Sequence, residues 1–442
     1  MAAPQEGLKR VIGVTGVSLT IVNFVVGAGI FALPGTVGSS LGMYGILAYV
    51  FCGILFASIM FCYAEIGSRV TKSGGTYAYV RAAFGPLPAY VINWLFVLVF
   101  ALLACAAVMN IMADSLALIF PALNDRLTRG IFLFILVASI IFIHVRGTKH
   151  GLGFIKFITI MKLIPLVALI LLGIWFMKGD NLQWGAMPPV KAFGDSTLLL
   201  FFAFMGFESA LSASGEIKNP RKTVPRGILI GGVLVLSIYL MLQLVTQGVL
   251  GAEIANFQVA PLAAVAEKIV GPVGITILTL TAAVSCFGNS SGDILITPRL
   301  IYAGAKDGLF PSSLAKVHPK FNTPHYAIIL YGSLAFILAV SGGFKQLAVM
   351  ATAAILIVYL AVILSTIKLR MTQDPSTEST FRMPGGYLFP ILGIASIVWL
   401  LTYLRWNEIL TTIIFITVVC GFYIITNRLK KKVGDKNLEL AG

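Results

Sequence analysis

The sequence predicts an all-α integral membrane protein with twelve transmembrane helices, and three observations lead there. Of 442 residues, 58% are hydrophobic and only 11% are charged, a balance that a water-covered globular surface does not accommodate. No charged residue occurs from Val11 to Ala64, a run of 54, where one crossing needs roughly 20 apolar residues. The apolar stretches are continuous rather than alternating, which argues for helices and against the short period-two strands of a transmembrane barrel.

Charge and Gly, Pro or Asn interruptions divide the chain into spans near 11–38, 44–67, 87–113, 129–146, 154–177, 196–215, 226–250, 272–303, 325–341, 346–369, 386–404 and 408–427. The stretch 254–270 carries Glu253, Glu267 and Lys268; it is too polar to span and is expected to lie flat outside. An even number of spans puts both termini on one side. With that side cytoplasmic, the inner segments hold 24 Lys and Arg and the outer ones seven, with Lys162 inside a span. This asymmetry follows the positive-inside rule and implies a multi-pass protein of the cell (inner) membrane with cytoplasmic termini. Residues 1–10 are too short and polar for a transit peptide, and the apolar stretch after them is longer than a signal-peptide core, so it is read as a retained first span.

The same pattern excludes other classes. A net charge of +15 and a pI near 9.6 would suggest nucleic acid in a soluble chain. Here the Lys and Arg lie in alternate loops, with no basic, aromatic-interleaved helix, so no nucleic acid is expected. Cys52, Cys62, Cys105, Cys286 and Cys420 lie in apolar stretches without CxxC spacing, as packed free thiols do. His144, His150, His318 and His325 have no ligand-like spacing, so no metal is expected. No Walker A loop and no nucleophile–base arrangement occurs, so neither an ATP-driven pump nor an enzyme is expected, and no cofactor.

Span one reads Asn23-Phe-Val-Val-Gly27-Ala28-Gly29-Ile-Phe31-Ala-Leu-Pro34. Mid-helix glycine costs about 1 kcal/mol relative to Ala. The glycines serve either close helix packing or an unwound segment facing a polar cavity, where irregular backbone is tolerated at membrane depth. The reading adopted is the second. Gly27-x-Gly29-x-x-Ala32 also matches a dinucleotide fingerprint, but no strand precedes it and the first acid after it is Glu65, so the match is spurious. Span six repeats the theme in Phe202-Ala203-Phe204-Met205-Gly206-Phe207-Glu208. A repeat of five helices is odd and inserts upside down the second time, giving inverted halves over 11–177 and 196–369, with 386–427 as two additional helices of a single transporter domain. Half-helix N-termini then point at an anionic group such as a carboxylate, and freed carbonyls take an ammonium. The pair suits an α-amino acid.

Gly27-Ala-Gly29-Ile-Phe31-x-x-Pro34 resembles the first-span signature of amino acid permeases in the amino acid, polyamine and organocation (APC) superfamily. Tyr63-Ala-Glu65-Ile-Gly67-Ser-Arg69-Val-Thr-Lys72-Ser-Gly74-Gly75-Thr-Tyr77-Ala-Tyr79, ending in Phe84-Gly85-Pro86, is similar to that family's most characteristic loop. Gly206-Phe207-Glu208, Lys218-Asn219-Pro220-Arg221, Thr297-Pro298-Arg299 and Asp307-Gly308-Leu309-Phe310-Pro311 follow in family order. The resemblance covers spans one to ten. It implies the leucine-transporter fold, secondary active transport, and an amino acid or amine as substrate.

Four ionisable residues lie within spans, where a charge costs about 2.5–3.5 kcal/mol on insertion scales. Lys162 either snorkels to the interface or, as the resemblance implies, fills the gap between spans one, five and eight where sodium-coupled relatives bind Na⁺. A desolvated lysine there can release and retake a proton. Glu208 is an acceptor for the unwound backbone or a proton acceptor beside the substrate, the second being preferred. Asp293 either pairs with Lys162 or faces a cationic side chain. Glu65 is expected in a structural ion pair or cap beside the basic loop Arg69 to Arg81.

Val26, Gly27, Ala28, Gly29 and Ile30 are the expected substrate contacts in span one. Phe202, Phe204, Met205, Gly206 and Glu208 are those of span six, and Asp293 that of span eight. Lys162 and Glu208 are assigned proton coupling. Phe31, Phe96, Phe202, Phe204 and Phe207 are candidate gates, Phe202 and Phe204 foremost. Ser290 and Ser291 are expected to bond a neighbouring helix backbone rather than sodium. The expected protein is a proton-linked or exchanging amino acid transporter, monomer or homodimer, rocking spans 1, 2, 6 and 7 against a scaffold in the bilayer. The alternatives are a sodium symporter, a cationic amino acid or polyamine antiporter, and a transport-inactive sensor.

Overall fold

The structure, a computed structural model, describes residues 12–70, 74–147, 151–208, 217–306, 310–372 and 381–439. Lys9, Arg10, Lys72 and Asp307-Gly308-Leu309 lie outside them. The described residues are helical apart from turns, loops and one isolated parallel bridge between Ile12 and Ile217. Eight continuous stretches have the length and hydropathy to cross a bilayer, and Val14–Val25, His325–Ser341 and Leu388–Leu401 are shorter apolar helices. The protein is therefore a multi-span, all-α membrane protein.

The span expected at 11–38 is two helices, α1 (Val14–Val25) and α2 (Gly29–Leu41). At Val26 the backbone leaves the helical region, with ψ 68°. A 3₁₀ turn at Gly42–Tyr44 leads into α3 (Gly45–Arg69) and a short α4 (Gly75–Phe84). The third span was expected to be one regular helix. It consists of α5 (Pro86–Trp94), a π-helical segment Leu95–Ala101, and α6 (Leu102–Leu116). Such wide turns recur at functional sites, and no residue pattern in 87–113 announced this one.

Next come α7 (Arg126–Arg146), started by the Asp125 carboxylate accepting from the Thr128 N–H at 2.9 Å, and α8 (Gly151–Phe176). The sixth span starts as α9 (Val190–Phe201), tightens to 3₁₀ at Phe202–Phe204, and breaks at Met205 and Gly206. Helical geometry resumes at Phe207 and Glu208; the rest of the span expected to run to 215 lies outside the described residues. The remaining helices are α10 (Pro220–Leu250), α11 (Pro261–Val270), α12 (Pro272–Lys306), α13 (His325–Ser341), α14 (Phe344–Thr372), α15 (Leu388–Leu401) and α16 (Trp406–Glu439). α11 lies within the stretch 254–270: Pro261–Ala266 are buried against the bundle, while Glu267, Lys268 and Val270 at its end are exposed.

In lipid, helix association depends on close packing, because the surroundings are as apolar as the side chains. The α1–α10 pair shows how. A Cβ on Gly227 would lie 2.6 Å from Val17, and one on Gly231 3.0 Å from Ile21, four residues further on. The absent side chains let Ser18 Oγ reach the Gly227 carbonyl at 3.1 Å. Large apolar side chains such as Leu127, Ile131 and Phe134 of α7 and Ile164 and Trp175 of α8 are exposed, as on a lipid-facing surface.

At one end of the bundle Glu65, fully buried, is locked in place. Oε1 accepts from Arg69 Nη2 at 2.8 Å and from Arg370 Nε at 2.9 Å. Oε2 accepts from Arg370 Nη2 and from the Met383 N–H at 2.9 Å. The ion pair beside the basic loop was expected; the second arginine, from α14, was not visible in the sequence.

Candidate functional site: a cavity between two broken helices

The two interruptions meet. A Cβ on Gly29 would lie 2.9 Å from Ala203 Cα, and one on Gly206 3.1 Å from the Phe24 carbonyl. Gly206 has φ +107°, a conformation that side chains disfavour. The break in span six therefore needs glycine for backbone conformation, whereas Gly29 needs it for approach.

Each carbonyl freed by the first break has a partner. The Lys162 ammonium donates to Asn23 O at 2.6 Å, and Asn289 Nδ2 to Phe24 O at 3.2 Å. The Tyr239 hydroxyl, on α10, is shared between Val25 O at 2.7 Å and Ala203 O at 2.8 Å, tying the two breaks together. Ser285 Oγ lies 3.3 Å from Val26 O and 3.2 Å from Gly27 O. Buried backbone acceptors need such partners, and α8, α10 and α12 supply them. Tyr239, Ser285 and Asn289 were not foreseen; a tyrosine or serine inside an apolar span has no sequence mark that separates this duty from ordinary packing. On the other side of the break, the first-turn N–H groups of α2 have no preceding helical carbonyl, as at any helix start.

These atoms border a small, partly open cavity. Gly27, Ala28, Gly29, Met205 and Gly206 line it on the side of the breaks. Phe100, Ala104, Cys105 and Val108 of the third span and Asn289 and Asp293 of α12 line it too, Asn289 lying against the first break. The π segment brings Phe100 and Ala101 to the wall. Phe202 lines the cavity too, its ring edge-on to Phe344 with centroids 5.6 Å apart.

Other expected contacts stand behind this layer. Val26 and Ile30 are fully buried, and Phe31 is nearly so. Phe204, expected as a cover, packs with Phe56 and Tyr239 at 5.5 and 5.1 Å between ring centroids. Phe207 packs with Phe56 and Tyr63. Phe96 lines a second, smaller cavity with Thr76, Tyr77, Asn93 and Glu208. Glu208 lies just behind the break: Oε2 accepts the Gly206 N–H at 3.2 Å and the Tyr359 hydroxyl at 2.7 Å.

Lys162 is fully buried with its ammonium on span one, so it does not snorkel. The pair envisaged between Lys162 and Asp293 is not formed. Asp293 instead accepts from Thr297 Oγ1 at 2.8 Å and from the Tyr331 hydroxyl. Ser291 Oγ bonds His144 Nε2 at 2.9 Å rather than a helix backbone. Among the described residues no group of three His, Cys, Asp or Glu side chains could hold a metal ion.

The family model of amino acid permeases matches residues 12–433, nearly the whole chain. The chain belongs to this family. Similar proteins include three from Bacillus subtilis (strain 168). A methylthioribose transporter is 28% identical over 96% of this chain and 95% of its own length. The serine/threonine exchanger SteT is 28% identical over 96% of both chains, and the branched-chain amino acid permease BcaP 27% identical over 98% and 96%. The permease is thus an APC-superfamily membrane transporter, and the cavity between its broken helices is the candidate substrate site.

Proposed function

We propose that the permease carries an α-amino acid across the cell membrane by alternating access, coupled to protons or to exchange. Two backbone interruptions bordering one cavity carry this reading. The start of α2 offers N–H groups and a positive dipole end to the substrate carboxylate. The backbone carbonyls at the ends of α1 and of the Phe202–Phe204 turn have two lone pairs each and can accept from its ammonium beside the donors they already meet. The names of the serine/threonine and branched-chain relatives favour an amino acid over other cargo.

In this reading spans one to ten form two inverted five-helix repeats, 11–177 and 196–369, with 386–427 added. Both termini are cytoplasmic, as the Lys and Arg asymmetry favours. The repeats rock around the fixed site. Lys162 holds a positive charge on the Asn23 carbonyl, where a sodium ion would otherwise find an oxygen ligand, and this favours sodium-independent transport. Glu208, lining the smaller cavity and bonded to the unwound backbone, is the second proton-handling group.

Counterflow into proteoliposomes, paired with a thermal-shift screen of all amino acids, common polyamines and methylthioribose, tests the reading; a bound ligand raises the melting temperature. At least one amino acid is expected to stabilise the protein and exchange without sodium. Stabilisation by methylthioribose alone would replace the substrate, and binding without counterflow would indicate a sensor. With Lys162→Ala, uptake is expected to lose its response to an imposed pH gradient; an unchanged response removes Lys162 from coupling.

A further inference from the structure

Resting on the reading of an α-amino acid in the central cavity, we propose that Asp293 selects substrates whose side chain ends in a cation, as in lysine, ornithine or arginine. A substrate held through its α-groups by the two breaks has its side chain among the remaining lining residues. These include Phe100, Ala104 and Val108, which suit a methylene stem, with Asn289 and Asp293. The Asn289 amide is already spent on Phe24 O. Asp293 is the charged group in that lining.

The surroundings of Asp293 are those of an anion awaiting its partner. Thr297 and Tyr331 give its two oxygens one hydroxyl donor each, while a carboxylate has about four lone-pair sites. The hydroxyls orient the group and bring no positive charge. None of the ion pairs among the described residues includes Asp293, and the Lys162 ammonium is directed to Asn23. An ionised carboxylate withdrawn from water is costly without a counter-ion. A substrate ammonium or guanidinium supplies that ion only while bound, whereas a leucine side chain would leave the carboxylate unpaired. The discrimination thus comes from the charge on the protein and not from cavity size.

The test is competition binding and thermal shift on the purified full-length protein with lysine, arginine, leucine, serine and putrescine. It uses the wild type, Asp293→Asn and Asp293→Glu. The wild type is expected to prefer lysine and arginine to leucine and serine. Asp293→Asn should weaken lysine about tenfold or more without weakening leucine, and Asp293→Glu should keep the basic preference. Putrescine, lacking a carboxylate for the start of α2, should bind more weakly than lysine. Two results would overturn the assignment: a wild type preferring leucine or serine, or an unchanged lysine-to-leucine ratio in folded Asp293→Asn; putrescine equal to lysine would overturn instead the carboxylate contact at α2 on which the proposed function stands. If Asp293→Asn does not fold, the wild-type preference and Asp293→Glu still decide. Neutral amino acids bound regardless of residue 293 would sink this inference alone; no amino acid bound at all would sink the proposed function with it.

Discussion

Glu65 and Asp293 are both carboxylates inside the helix bundle, and their surroundings differ in kind. Glu65 meets two guanidinium groups and a backbone N–H, all supplied by the protein. Asp293 meets two hydroxyls at the wall of a cavity. A buried charge whose counter-ion is built in holds helices together, because separating the partners strands each of them. One that lacks a built-in counter-ion and borders empty space is where something from outside completes the structure. The cost of burial is the same physics in both; what differs is whether the chain or the cargo answers it.

The comparison can be broken by stability measurements. Glu65→Ala leaves Arg69 and Arg370 without their carboxylate, and a loss of about 3–5 kcal/mol is expected, read as a large fall in unfolding temperature in detergent. A fall no larger than for Asp293→Asn would end the distinction. Tyr239→Phe removes the hydroxyl shared by Val25 O and Ala203 O, at an expected cost of about 1–2 kcal/mol. Its loss of transport should exceed what that instability explains, as initial uptake rates at matched amounts of folded protein would show. Asp293→Asn keeps one acceptor oxygen and turns an NH2 toward the other hydroxyl, which can accept in its place, so the variant is expected to stay within about 1 kcal/mol of the wild type. A much larger loss by the same unfolding assay would make Asp293 a structural group like Glu65.

The two sites were unequally legible in the sequence. Glu65 four residues before Arg69 is a helical i,i+4 pair, so its local half could be read directly. Arg370 and Met383 arrive from more than 300 positions away, and nothing near Glu65 foretells them. At the central site Gly27, Gly29 and Gly206 were legible because glycine inside an apolar span contradicts helix propensity. The donors that catch the freed carbonyls were not. Ser285 and Asn289 look like any small polar residues of α12, and Tyr239 like any aromatic of α10. Phe204 shows the reverse case. It is near the break in sequence and yet not at the cavity, because its ring packs with Phe56 and Tyr239.

By itself the sequence determined the membrane class, the helical form and the positions of the two interruptions. Each of these follows from one stretch of chain weighed against lipid: apolar runs long enough to cross, glycines that weaken a helix, Lys and Arg gathered in loops with Lys162 the one inside a span. Only the tertiary structure decided that the interruptions touch, that Lys162 faces Asn23 and not Asp293, and that a π-helical turn in the third span brings Phe100 to the cavity. Those outcomes depend on which helices stand side by side and how they are rotated. That information is spread over side chains hundreds of residues apart, and their partners are chosen by packing.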